Sequence, residues 1–258
     1  MLLMYRCIRK NNHSMKNWIL FLLPLFLTAS KCKEDAVVNP KLNINFKTIY
    51  NVNPFVLNKT YPYTSPSQVK FTRFNFFITK IALIGANGAT TTLADAAKLD
   101  FTPLYDDTKA AAGLTLSYDV PQGDYTGIQF SLGVSDDLNA KNPGQQPSSS
   151  PLSEASEYWD AWRSYIFSKL EGSVDTLNNN RFDKSFTIHT GGSEGVYKPL
   201  IFNQFMAIHS DTKLNFEIDM NKILSGIDLK TIDGAHDLND VKKMKAFMTA
   251  FSTAISTQ

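Results

Sequence analysis

Cysteine is almost absent from this sequence, and no apolar run in it is long enough for a permanent membrane span. The two cysteines, Cys7 and Cys32, both lie near the N-terminus, so neither a disulfide framework nor a thiolate metal site can organise the rest of the chain. The apolar run Trp18–Leu27 would extend for roughly 15 Å as a helix, about half the thickness of the hydrocarbon core. Charged residues are also few, at 19%, but 43% of the 258 residues are hydrophobic, which predicts a globular protein.

The body of the chain has no excess of positive charge. The net charge is +2, but residues 1–31 contain five basic residues and no acidic one, which leaves −3 for the remainder. Proteins that bind nucleic acid neutralise its phosphates with clustered lysine and arginine. The composition therefore excludes nucleic acid as an expected partner.

No motif typical of an enzyme occurs in the chain. The sequence contains neither a nucleophile elbow, nor a zinc-protease motif, nor a phosphate-binding or dinucleotide-binding loop. The acid pairs at 106–107 and 136–137 fall in expected loops, where such pairs are usually solvated. The run 175–180 offers oxygen ligands but not the glycine and glutamate that close a calcium loop. These absences predict a protein that is not an enzyme.

The N-terminus has the pattern of a secretion signal. A basic start at Met15-Lys16 is followed by the short apolar run and then by small residues before Cys32. This arrangement resembles the leader of a bacterial lipoprotein. It predicts that residues 1–32 are a signal peptide, with Met15 as the true start, and that Cys32 carries lipid. An ordinary secreted protein with an incidental cysteine is the alternative.

The residues after Cys32 indicate a location for the protein. Lys33-Glu34-Asp35 is similar to the signal that sends lipoproteins of the Bacteroidetes type to the cell surface. A lipidated cysteine would anchor the chain stably in a membrane, so we expect an outer-membrane lipoprotein of the cell envelope, either periplasmic or exposed at the cell surface. Residues 33–42 are polar and are expected to form a tether.

Short strands separated by turns are the pattern of the rest of the chain. Residues 42–46 alternate between apolar and polar, as a strand with one buried face does. Residues 43–258 are therefore predicted to form one mainly β domain, an antiparallel β-sandwich with peripheral helices. One or two helical turns are expected at 153–162, a helix at the C-terminus over 240–255, and a long exposed loop at 139–153. Further strands are expected at 69–83, 114–120, 125–134, 164–171, 185–190, 204–209 and 213–219.

Tryptophan and histidine concentrate in residues 158–192. Trp159 and Trp162 lie close together, and His189 stands between an apolar strand and a turn. From residue types alone, a tryptophan pair usually packs in a core, and a lone histidine at a strand end is usually structural. Imidazole nitrogens also suit copper and zinc, and two of them are the minimum for a copper site. Glu171 is either a partner of an imidazole N–H or simply an acid at the end of a strand.

Three ordered motifs resemble those of the MbnP-like family, whose members are copper-binding proteins associated with methanobactin operons. Residues 123–134 are similar to the strand motif G-x-Y-x-x-I-x-F-x-L-G-V. Residues 158–172 are similar to W-x-W-x-x-G-Y-x-x-x-K-x-E-G, and residues 186–191 to F-x-x-H-x-G. Residues 214–224 are similar to the closing strand and turn of the family.

The resemblance implies a copper site that includes a modified tryptophan. In this family a partner dihaem enzyme can oxidise a tryptophan to kynurenine, whose amine or carbonyl group joins histidine at copper. Carried over by position, Trp159 or Trp162 would become the kynurenine and His189 would be the first imidazole ligand. His209, and after it His236, are the candidates for a second imidazole.

The middle motif departs from the family pattern at two positions. Ala161 stands where the second tryptophan belongs, so that Trp162 is displaced by one residue, and Ser164 replaces the glycine. Two functions therefore stay open. One is a lipid-anchored protein, not an enzyme, that sequesters copper or hands it on. The other is a structural or ligand-binding surface module that keeps the sandwich and binds no metal.

Overall fold

Two β-sheets and a few short helices make up the described part of the protein. The computed structural model describes residues 39–258, except for 193–195, 226, 233 and 236–239. The described residues belong to one compact unit, Val38–Gln258. Within these ranges, no helix has both the length and the apolar character that are needed to cross a bilayer.

Several sequence predictions fall outside the described residues. The expected signal peptide with Cys32 lies outside them, and so does His236. Residues 33–38 of the expected tether also lie outside, but the first strand begins at Lys41, and the side chain of Leu42 is fully buried. The domain therefore begins two residues earlier than the sequence predicts, because Leu42 is part of the core.

Fifteen strands and four α-helices occur within the described residues. The strands cover Lys41–Tyr50 (β1), Asn53–Pro54 (β2), Thr60–Pro62 (β3), Gln68–Gly85 (β4), Thr90–Asp100 (β5), Leu114–Asp119 (β6), Gly123–Leu132 (β7), Tyr158–Trp159 (β8), Ser164–Asp175 (β9), Lys184–Gly191 (β10), Lys198–Phe202 (β11), Met206–Ile208 (β12), Thr212–Asp219 (β13), Gly234–Ala235 (β14) and Ile255–Thr257 (β15). The α-helices cover Asp107–Ala112 (α1), Asp136–Asn139 (α2), Met220–Leu224 (α3) and Val241–Ala254 (α4).

The smaller sheet is built around β1. Its strand order is β15-β13-β1-β2, and β6 also pairs with β1. β1 runs parallel to β13 and antiparallel to β6. Leu42, Ile44 and Phe46 are buried while Lys41 and Lys47 are exposed, so one face of this strand supplies the core.

The larger sheet is built around the 18-residue strand β4. Its strand order is β11-β7-β4-β9-β10-β14, and β3, β5, β8 and β12 pair with strands on this path. β4 pairs with β9 over its first half, and with β5 and β7 over its second half. β10 runs antiparallel to β9 and parallel to β14. Both sheets are therefore mixed.

Aromatic side chains fill the core that the two sheets share. Phe46 of β1 lies edge-on to Phe130 of β7, with ring centroids 6.1 Å apart, and stacks on Phe216 of β13 at 5.0 Å. The C-terminal helix α4 packs on the same core, since its Phe251 lies 4.9 Å from Phe76 of β4. Burial of apolar surface of this kind is the main favourable term in folding.

The predicted fold class is confirmed, with corrections in detail. The domain is a mainly β sandwich with a C-terminal helix, but two of its strand pairs are parallel rather than antiparallel, namely β1–β13 and β10–β14. At 153–162, where one or two helical turns are expected, the structure has the single 3-10 turn Ala155–Glu157, followed by the strand β8 and a tight turn.

Residues 139–153, expected as an exposed loop, are fixed to the domain. They contain two short 3-10 turns, Pro143–Gln145 and Pro151–Ser153. The side chain of Leu152 is fully buried, and this apolar anchor holds the segment in place although most of its residues are polar and exposed.

Candidate functional site

A short hairpin carries the two tryptophans. Trp159 of β8 pairs antiparallel with Ser164 at the start of β9. In the turn between them, the Trp162 N–H donates to the Trp159 carbonyl at 3.0 Å, and Arg163 adopts a left-handed conformation with φ of 51°. The turn brings the two indole rings together, with centroids 4.3 Å apart and planes 33° apart.

His189 lies beside this hairpin, on β10. Its neighbours Ile188 and Thr190 are fully buried, so the alternation of a strand turns the His189 side chain to the opposite face of the larger sheet. We call this the outer face. The imidazole centroid is 6.4 Å from that of the Trp159 ring, and the two rings meet edge to face. The side chain of His189 is 15% exposed, so the ring is largely covered but still reaches solvent.

A carboxylate holds the His189 ring. The strand register pairs Glu171 of β9 with Thr187 of β10, which places Glu171 diagonal to His189. Glu171 Oε1 lies 2.8 Å from His189 Nε2 and 3.2 Å from an Arg73 guanidinium nitrogen. An ionised carboxylate can only accept hydrogen bonds. When Glu171 is ionised, His189 Nε2 therefore carries the hydrogen, and the lone pair of the neutral ring is on Nδ1.

A buried ion network lies directly before the tryptophans. The side chain of Glu157 is only 6% exposed, and its two oxygens lie 2.8 Å from the ammonium groups of Lys98 and Lys169. Lys98 also contacts Glu154 at 2.7 Å. Burial acts to lower the pKa of Lys98, but hydrogen bonds and charge from Glu154 and Glu157 outweigh it and raise that pKa above its usual value.

Further hydrogen bonds fix the base of the hairpin. The Tyr165 N–H donates to Asn139 Oδ1 at 2.9 Å, and the Tyr165 hydroxyl donates to the Leu152 carbonyl at 2.8 Å. The Ser164 hydroxyl accepts from the Gly192 N–H at 2.8 Å. These contacts tie β9 both to the segment before the hairpin and to the turn after β10.

His209 lies elsewhere in the molecule. It follows β12, and its exposed ring lies 3.4 Å from Asp124. Strand pairing across β9 places His189 level with Asn75 of β4. The strand β12, which His209 follows, pairs with the part of β7 that is level with Gly85 of β4. Ten residues of strand, about 33 Å at about 3.3 Å per residue, separate these two levels. The structure therefore does not bring His209 and His189 together.

Among the described residues at the site, the side chains that could bind a metal ion are one imidazole, of His189, and one carboxylate, of Glu171. Over residues 39–258, apart from the undescribed gaps, no three His, Cys, Asp or Glu side chains come together as a group that could hold a metal ion. An intact indole offers only an N–H donor. His236, the other predicted ligand, lies outside the described residues, but the residue before it, Ala235, pairs with Ile188 next to His189.

Several charged residues of the site carry little signal in the sequence. Arg73, Lys98 and Glu157 lie on different elements, and each meets a partner more than 50 residues away in the chain. Such pairs become visible only once the strand order is known. Lys169 is different, because it and Glu171 are charged residues two apart on either side of the apolar Leu170, which indicates a shared outer face.

The architecture and the site together define a class of protein. It is a two-sheet, mainly β domain with a cluster of tryptophan, histidine and carboxylate side chains on the outer face of its larger sheet. The MbnP family model matches residues 39–242, which is most of the chain, so the protein belongs to the MbnP family.

A solved structure has a similar fold. MbnP from Methylosinus trichosporium matches with a TM-score of 0.55 and 17% identity, over 78% of this chain and 82% of that one. At this level of identity, the likeness shows the fold alone. The comparison with curated proteins gives no match.

Proposed function

We propose that this protein binds copper in the cell envelope and sequesters it or hands it on, without catalysing a reaction. The observation that carries the proposal is the cluster on the outer face, where His189 lies 2.8 Å from Glu171 and its ring centroid 6.4 Å from that of Trp159. Imidazole is a favoured ligand of copper, and Cu(I) accepts few ligands. Membership of the MbnP family supports the same function.

Trp159 is the tryptophan that we propose is converted to kynurenine by a dihaem partner enzyme. Of the two indoles, Trp159 has a described ring contact with His189. The described ring contact of Trp162 is with Trp159. Kynurenine would add an aryl amine and a carbonyl group, which an intact indole cannot supply. His236 is retained as the sequence-based candidate for a further imidazole.

Glu171 is proposed to set the tautomer of His189. By accepting the hydrogen of Nε2, it leaves the lone pair on Nδ1, which is the atom through which His189 would bind copper. Arg73, at 3.2 Å from the same carboxylate oxygen, balances its charge. A partner of this kind orients the ring before the metal arrives.

The envelope location is proposed from the N-terminal sequence. Cys32 is the proposed site of lipidation, which would anchor the protein in the outer membrane with the domain exposed at the surface. Residues 33–40 would then separate the anchor from β1, which begins at Lys41.

Copper titration of protein isolated from its own host tests the proposal. Cu(I) is added in competition with a chelator, and the intact mass reports lipid and tryptophan oxidation on the same sample. We expect His189→Ala to abolish tight binding, and Glu171→Gln to weaken it by about 10–100-fold. His209→Ala is the matched control, because its ring is exposed and distant. Equal copper affinity of the His189→Ala variant and the unchanged protein would overturn the proposal.

A surface module without metal is the second candidate. It is favoured by the absence, among the described residues, of any group of three metal-ligating side chains. The same titration decides between the two, since this candidate predicts no tight copper binding in any variant.

A further inference from the structure

The strongest unexplained feature near the site is a carboxylate in a buried position. Acidic side chains are almost never buried unless they are paired, and the side chain of Glu157 is 6% exposed. It ends the 3-10 turn Ala155–Glu157 and is followed directly by Tyr158 and Trp159. Any force that fixes Glu157 therefore also fixes the start of the tryptophan hairpin.

The two partners of Glu157 come from opposite sides of the central strand. Lys98 of β5 pairs with Phe77 of β4, and Lys169 of β9 pairs with Asn75 of β4. Both ammonium groups lie 2.8 Å from Glu157, each on a different oxygen. The carboxylate thus bridges strands β5 and β9 across β4, on the outer face of the larger sheet.

Burial distinguishes the ion pairs of Glu157 from that of the neighbouring Glu154. The side chains of Lys98 and Lys169 are 17% and 8% exposed, so the network is largely shielded from solvent. Ion pairs in such surroundings are screened far less by salt than surface pairs. Glu154 also pairs with Lys98, but its side chain is 47% exposed, and it has no described contact with Lys169.

We infer that Glu157 is a positioning residue, which through Lys98 and Lys169 holds the tryptophan hairpin against the sheet so that Trp159 faces His189. This positioning role deepens the proposed function. Only one consequence rests on that function, namely that copper binding depends on the ion pairs of Glu157. The geometric part can be tested without any metal.

The indole pair itself supplies the readout. Apart from Trp18, the chain contains only Trp159 and Trp162. In a full chain that carries Trp18→Phe, produced without the partner enzyme, the indole signal comes from this pair alone. Two indoles 4.3 Å apart with planes 33° apart have coupled transitions, which give a paired positive and negative band in circular dichroism. A general loss of stability does not change this band while the protein remains folded.

The decisive variants are Glu157→Gln and its control Glu154→Gln. Each removes one negative charge at nearly constant volume, but only the first breaks the bridge between Lys98 and Lys169. We expect Glu157→Gln to lose most of the coupled band and to show stronger acrylamide quenching of indole fluorescence below its unfolding temperature. Glu154→Gln should keep both signals. A coupled band in Glu157→Gln equal to that of Glu154→Gln would overturn the inference.

A second variant covers the case in which Glu157→Gln does not fold. Lys98→Gln removes the ion pairs of Lys98 with Glu157 and Glu154 and leaves Lys169 in contact with Glu157. A partial loss of the coupled band is therefore expected, and an unchanged band counts against the inference. Cu(I) titration of the same variants, isolated from the host after modification by the partner enzyme, separates the two ideas. If copper binds to none of them, the proposed function fails while the result for the hairpin stands. If copper binds and the band is unaffected by Glu157→Gln, only the positioning role fails.

Discussion

Gly191 is required by close packing at the end of β10, and replacing it by alanine should destabilise the protein. A Cβ atom at this position would lie 2.4 Å from the Tyr165 carbonyl oxygen, against the 3.0 Å below which such contacts essentially never occur. The oxygen would therefore have to move by at least 0.6 Å. Tyr165 cannot yield easily, because its ring is fully buried and its hydroxyl and N–H are hydrogen-bonded to Leu152 and Asn139.

The expected loss in the free energy of unfolding is that of adding an atom to an already well-packed site. Such strain costs about 1–3 kcal/mol, which corresponds to about 2–12 °C in melting temperature for a domain of this size. The same Cβ would lie 3.4 Å from Trp162 Cε3, which is an ordinary van der Waals distance, so the contact with Tyr165 sets the cost. The variant should therefore melt earlier.

Thermal unfolding of purified Gly191→Ala, compared with Gly123→Ala, is the test. At Gly123 the nearest heavy atom to a new Cβ is 3.8 Å away, so alanine fits there without strain. Both substitutions reduce the entropy of the unfolded chain by a similar amount, and the difference between them isolates the contact with Tyr165. Equal melting temperatures for the two variants would refute the reasoning.

Two further predictions concern the segment that supports the site. Leu152→Ala should lower the free energy of unfolding, measured by urea titration, by about 2–5 kcal/mol, because a fully buried side chain is lost. The control Leu177→Ala, at a site 72% exposed, should change it by less than about 0.5 kcal/mol. Similar values for the two variants would show that the segment is not anchored by Leu152. The raised pKa of Lys98 means that its extra stabilisation is complete below its usual pKa of 10.5 and is lost as the pH rises through the raised value. The stability difference between the unchanged protein and Lys98→Gln should therefore shrink above about pH 10.5, and a constant difference up to the alkaline limit of folding would contradict this.

Much of the fold could be predicted from the sequence because most strands have one buried face. β1, β4, β7 and β13 alternate or concentrate apolar residues, and their positions agree with the expected ones to within a few residues. The strand β5 escapes prediction because its sequence TTTLADAAKLD is rich in small and polar residues, which do not have the usual strand composition. Backbone pairing with β4 forms this strand although its own composition does not favour one.

Strand direction could not be predicted in the same way. β1 and β13 are neighbours in the smaller sheet although about 160 residues separate them, and they run parallel. Periodicity reports which face of a strand is buried, but it carries no information on which strand lies next to it. The mixed sheets are therefore a result of the tertiary structure alone.

The grouping of side chains at the candidate site could be predicted for residues in neighbouring motifs, but not for residues that are distant in the chain. Trp159, Glu171 and His189 all come from two adjacent stretches, and the structure places them together. His209 shares only its residue type with His189, and the fold puts it at another part of the sheet. Glu157 has no signature, since its burial depends on two lysines from distant strands.

The two faces of β9 and β10 allow one pair of strands to contribute both to the core and to the proposed copper site. On one face, Leu170, Phe186 and Ile188 are fully buried in the core. On the other face, Glu171 and His189 meet beneath the tryptophan hairpin. Because successive side chains of a strand alternate between faces, substitutions at 171 or 189 remove no core contact, and an effect on copper affinity there can be attributed to the site. The hairpin lacks this independence, since the Glu157 bridge and the buried Leu152 support both its fold and the approach of Trp159 to His189.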